Sequence, residues 1–165
     1  MRDYKQFAVR KIEEIYKMED LEELYALIVT KDETFALYPK PAFQFHFTCM
    51  RLALSCIAWV NACRQSGMED ESSQKIFLRA VMERFKTPET IEIAKTFSEY
   101  LYSGDENNPA GETISMVTRL FQKLEEAQGP GKKQINKKTV ECFKTLIYIA
   151  EGIRESFENE FLAFE

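Results

Sequence analysis

The sequence predicts an all-α fold: a single-domain helical bundle (1–165) of about six or seven helices around one unusually apolar central helix, about 41–65. Three observations predict it. Apolar residues recur at steps of three and four along most of the chain, the spacing that gathers them on one side of a helix. Proline, glycine and small polar residues fall between these segments, where helices start and stop. No stretch sustains the two-residue alternation of a half-buried strand.

The first helix runs from about Asp3 to Met18, with Tyr4, Phe7, Ala8, Ile12, Ile15 and Tyr16 on one stripe. The second begins at Asp20, where Asp20 and Glu23 have the spacing of a capping box. Its inner residues are Leu21, Leu24, Tyr25 and Ile28. Residues 31–41 break the pattern, because Pro39 and Pro41 each remove a backbone donor and disfavour helix at the residue before them. This is a connector with room for one helical turn around Phe35.

In the third helix Phe45, Cys49, Leu52, Cys56, Trp59 and Cys63 alternate steps of four and three, as a heptad seam does. Met50, Leu54, Ile57 and Val60 add apolar surface on other sides, leaving only a polar or small strip through Gln44, Thr48, Arg51, Ser55 and Ala62. A helix apolar over most of its circumference needs neighbours on most sides. Gly67 supplies its stop.

A fourth helix covers about 71–86, with Ile76, Phe77, Ala80, Val81 and Phe85 inward. Thr87-Pro88 reads as a cap and first turn for a fifth helix, striped by Ile91, Ala94, Phe97 and Leu101. Asn108 and Pro109 open a sixth, with Ile114, Val117, Leu120, Phe121 and Leu124 inward. The last runs from Asn136 toward Phe161 and turns Val140, Phe143, Ile147, Ala150 and Phe157 inward. Short connectors favour antiparallel neighbours in an up-and-down bundle.

Composition narrows the function. With 165 residues, 45% of them hydrophobic, the chain can bury a core without a disulfide or metal staple. A net charge of −5 disfavours nucleic acid as a partner, since such binders gain affinity by neutralising phosphates. Residues 42–63 are apolar enough to suggest a membrane span, but Arg51 near the middle would cost about 2.5–3.5 kcal/mol on insertion. A buried helix is the better expectation. The first residues mix charged and apolar types unlike a secretory leader, and none of the four cysteines forms a CxxC pair. Reduced thiols in a cytoplasmic protein are therefore expected. Cys49, Cys56 and Cys63 lie seven apart, about 10 Å per step along the helix, too far for a disulfide within it. They read as small core residues.

Catalytic motifs are missing from the sequence. One histidine supplies neither a helical HExxH zinc site nor a di-iron pair. There is no GxSxG, GxGxxG or GxxxxGK[ST]. No cofactor and no metal site are expected, and the balance leans away from an enzyme. His46, in Phe-His-Phe, reads more readily as a histidine near a helix end than as a haem ligand or general base.

Three groups of residues stand out. Phe157, Phe161 and Phe164, with Leu162 beside them, form an aromatic stripe that docks on its own bundle or pairs with another surface. The leading expectation is thus a non-enzymatic interaction or assembly module that self-associates or binds another protein. The alternative is a bundle that holds a small apolar or amphiphilic acid. There Arg51 would anchor the anion, beside Gln44, Thr48, Ser55 and His46, with Phe43, Phe47 and Trp59 as walls. Third, Lys132, Lys133, Lys137 and Lys138 surround the start of the last helix, where free backbone donors suit phosphate or an acidic partner.

Overall fold

The computed structural model describes residues 3–86, 90–102, 109–129 and 137–164, without the side chains of Met18, Pro109, Ala110, Lys137 and Lys138. Within them the chain forms eight α-helices and one short 3-10 turn, with no strand among the described residues. They are α1 (Tyr4–Ile15), α2 (Met18–Lys31), the 3-10 turn (Glu33–Leu37), α3 (Lys40–Gln65), α4 (Glu71–Gln74), α5 (Ile76–Arg84), α6 (Ile91–Leu101), α7 (Pro109–Gln128) and α8 (Lys137–Phe164). The fold is an all-α bundle around an apolar central helix, as the periodicity predicts.

α3 is the hub. Every other α-helix packs against it, α8, α6 and α7 most extensively, and Leu52, Ala53, Ala58, Trp59, Ala62 and Cys63 are wholly enclosed. By length and composition it is also the one described helix that could cross a bilayer, yet 61% of that apolar window is buried inside the protein. Its end has a specific cause. Gly67 adopts φ 72°, the Gly67 N–H donates to the Arg64 carbonyl at 3.2 Å, and the Met68 N–H donates to the Cys63 carbonyl at 2.8 Å. This paired closure answers two of the carbonyls that a helix end leaves free.

Two aromatic clusters hold the ends of α3. Near its start, Phe43 stacks on Phe47 at 5.4 Å and meets Phe35, which in turn lies edge-on to Tyr38 at 5.0 Å. The expected single turn around Phe35 is the 3-10 turn, opened by Asp32, whose carboxylate accepts from the Thr34 N–H at 3.1 Å. Near the other end, Trp59 meets Phe161 edge-on at 4.9 Å and stacks on Phe77 at 5.7 Å. Phe7 and Tyr4 of α1 close this second cluster. Such edge and offset contacts add about 0.5–1.5 kcal/mol per pair beyond burial.

Several local expectations change. α2 starts at Met18, so Asp20 is not its cap; it lies in the first turn, where its charge suits the positive end of the helix. The predicted helix over 71–86 is two pieces meeting at Lys75. At that break the Trp59 Nε1–H donates to the Ser73 carbonyl at 2.9 Å, an oxygen that an unbroken helix would use for itself. Ile91, Ile114 and Val140, expected inward, are exposed. Ile91 opens α6, whose buried residues are Thr96, Phe97 and Tyr100. On α7 and α8 the covered face is turned toward Met116 and Cys142, away from Ile114 and Val140. Thr87, Pro88 and Asn108 lie outside the described residues.

Candidate anion-binding cleft

Arg51 sits halfway along α3, where the two aromatic clusters leave a gap. α1, α3 and α8 meet there around a cavity of about 300 Å³. From α3 it receives Arg51 and Ser55, one turn apart on the same face. Ile15 of α1 and Ile149, Ile153 and Phe157 of α8 supply apolar walls. Gly152 and Ser156, again one turn apart, leave the α8 side low.

The charges in this cleft are unequally satisfied. Lys11, largely buried, holds Glu14 at 2.8 Å on its own helix and Glu160 of α8 at 2.6 Å. It thereby clamps α1 to α8 across 149 residues of chain. Arg51 makes no ion pair and no side-chain hydrogen bond among the described residues, although its side chain is half-buried. Burial pulls its guanidinium below the ordinary value, and the more distant carboxylates of Asp20, Glu14 and Glu160 pull the other way. Arginine nonetheless stays charged at any ordinary pH. The Ser55 hydroxyl donates to the Arg51 carbonyl at 2.8 Å, so its oxygen keeps lone pairs for a further donor.

The other residues expected at this site lie elsewhere. Trp59 is fully enclosed in the second aromatic cluster, and Phe43 and Phe47 in the first; none of the three walls the cleft. The apolar walls come instead from α1 and α8. Gln44 and Thr48 continue the polar strip of α3 but stop short of the cavity; the Thr48 hydroxyl is turned back onto the Gln44 carbonyl at 2.8 Å. His46 faces another hollow, beside Phe45, Glu99, Lys123 and Glu126. Burial, helped by Lys123, pulls its imidazole below the ordinary value, against Glu126, Glu99 and Glu92. Its Nδ1 is buried and makes no hydrogen bond among the described residues.

The C-terminal stripe is turned inward. Phe157 and Phe161 are buried against Phe7 and Trp59. Phe164 packs at 4.8 Å from Phe7, and Leu162 is half-buried against the same core. As an interaction face the stripe would have to leave this cluster. The four cysteines are buried and unbridged, with the Cys49 thiol pushed up to about 12 by burial. That environment suits packing and suppresses thiolate chemistry. Lys132 and Lys133 lie outside the described residues, as do the side chains of Lys137 and Lys138.

A larger hollow of about 880 Å³ lies between α6 and α7, lined in part by Arg119 and Glu99. Glu99 is held there by Lys123 at 3.0 Å and by Arg119 at 3.8 Å, and Lys95 on its rim makes no ion pair among the described residues. The cleft at Arg51 is the better candidate, since it combines a half-buried cation lacking a counter-ion among the described residues with walls of Ile15, Ile149, Ile153 and Phe157. Residues that the sequence alone did not single out for it are Lys11, Glu14, Ile149, Gly152, Ile153 and Glu160. The one signal available was Lys11, which interrupts the inward face of α1 next to Ile12. Comparison with family models, with curated proteins and with solved structures finds no match, so the reading of this cleft rests on its own residues.

Proposed function

We propose that this protein binds a small amphiphilic monocarboxylic acid in the cleft between α1, α3 and α8, with Arg51 as the anion anchor. The single observation that carries the reading is Arg51 itself: a half-buried guanidinium facing a 300 Å³ cavity with no carboxylate partner among the described residues. Ligand cavities begin at about this size and combine apolar walls with a few polar groups that fix orientation. A guanidinium offers a planar fork of donors that a carboxylate meets with two parallel hydrogen bonds. Ser55 and Ser156 supply the neutral polar rim, and Ile149 and Ile153 a surface for a short aliphatic tail.

The charge of the ligand follows from its surroundings. Glu14 and Glu160 lie on the same cleft, Glu14 held by Lys11 and Arg10 and Glu160 by Lys11 and the Ser156 hydroxyl, and a doubly charged phosphate would meet both carboxylates as well as Arg51. A single negative charge suits one unpaired cation.

Calorimetric titration with octanoate, and with octanol as the neutral control, tests the proposal. The wild type is expected to bind octanoate saturably and one-to-one, with octanol much weaker. Arg51→Met should weaken octanoate by at least about tenfold, roughly 1.4 kcal/mol, while leaving the fold intact. Equal octanoate affinity in wild type and Arg51→Met would end the reading. Expectations of self-association rested on the aromatic stripe of α8, on the surplus of apolar helix surface and on the lack of catalytic motifs; sedimentation of the unliganded protein tests them separately.

A further inference from the structure

The geometry points to Gly152 as the residue that sets how large an acid the cleft admits, an inference that rests on the acid-binding reading above. Gly152 lies well inside α8, a 28-residue helix, at a position where glycine is among the poorest choices for the backbone. Two ordinary reasons for a helical glycine are absent. It is not in a left-handed conformation, since only Gly67 and Gly129 have positive φ among the described residues. Nor does a neighbour press on it: a Cβ placed there would meet no atom within 4 Å outside its own helical turn. Close helix packing therefore does not require it.

Gly152 borders the cleft, and a side chain there would have open space to occupy. Gly152 lines the same cavity as Arg51 and is itself exposed, so it stands at the mouth, between the solvent and the walls formed by Ile149 and Ile153. A ligand whose carboxylate reaches Arg51 has to pass or lie over this position. The missing side chain keeps the entrance open at the expense of helix propensity. The ligand class this describes is a linear, unbranched monocarboxylate whose tail runs out over Gly152.

The test uses the whole 165-residue chain and octanoate. Gly152→Ala should melt no lower than wild type and keep its octanoate affinity within about threefold, because a methyl group has free space there. Gly152→Leu should weaken octanoate by at least about tenfold while the helix content is retained. Octanoate affinity equal to wild type in Gly152→Leu, together with loss in Arg51→Met, would overturn the role of Gly152 and leave the acid-binding reading standing. Wild-type affinity in Arg51→Met, or no octanoate binding by the wild type, removes both. If the leucine variant does not fold, Gly152→Cys gives a second route, since all four native thiols are buried. Octanoate is expected to slow its alkylation by iodoacetamide and to leave unchanged that of Tyr148→Cys, an exposed position on the same helix. Equal alkylation of Gly152→Cys with and without octanoate would overturn the inference.

Discussion

Trp59 and Arg51 stand about 12 Å apart on the same face-crowded helix, eight residues along, and their surroundings are opposite. Around Trp59 every contact is made: rings enclose it on several sides and its one polar atom donates to the Ser73 carbonyl. Around Arg51 the helices part, and a charge that folding has half-removed from water is left without a counter-ion among the described residues. The same helix thus does two jobs. Its aromatic end contributes cohesion, and its middle holds a gap open that close packing would otherwise have filled. Stability and binding should accordingly respond to different substitutions.

The largest effect should come from the aromatic end. Phe161→Ala removes a ring that is fully buried against Trp59, Phe7 and Tyr4, and should cost about 3–5 kcal/mol in urea denaturation. A cost below about 1 kcal/mol would mean that the end of α8 is not part of the cooperative core, and the comparison would fail.

A smaller effect is expected at the cleft. Lys11→Met severs the link from α1 to Glu160, but both carboxylate partners are more than a third exposed and water can take over. The expected cost is about 1 kcal/mol or less. A cost near that of Phe161→Ala would show that the cleft is a structural joint as much as a binding site.

The smallest effect is a pH dependence at His46, the only histidine in the chain. Burial lowers its folded value, so as pH falls through about 6.5 the unfolded chain takes up the proton more readily than the folded one. Its contribution to stability is therefore complete above that pH and is lost below it. Urea midpoints should drop from pH 7.5 to pH 5.5, and His46→Gln should flatten the drop. The carboxylates held low in the folded state, Glu14, Asp70, Glu71 and Glu99, act only at more acid pH. An unchanged slope in the variant would place the cause elsewhere.

Much of the fold was legible because it depends on local pattern. The enclosure of α3 follows from its apolar circumference, its stop from Gly67, and the turn around Phe35 from the prolines on either side of Lys40. The site was legible only in its central residue. Arg51 stands out as a charge in an apolar helix, but its companions belong to α1 and α8, and periodicity does not say which helix covers which face. Trp59, Phe43 and Phe47 were expected as walls because they are large and nearby in sequence. These three do stand on the same four-residue row as Arg51 and Ser55, but their rings are taken up by the aromatic clusters at the two ends of that row. The C-terminal stripe was ambiguous for a similar reason: Phe157 and Phe161 have the same spacing whether they meet another molecule or their own core. The break between α4 and α5 was hidden because the hydrogen bond made there comes from Trp59, far off in sequence.

That hydrogen bond has one more consequence. Trp59 is the only tryptophan, it is fully enclosed, and its indole touches α1, α5 and α8 while being tied to the end of α4. Its fluorescence is therefore a single optical gauge of how four helices sit together. Loosening of α8 that leaves the helices themselves intact, and so barely changes circular dichroism, would still move the emission toward longer wavelength.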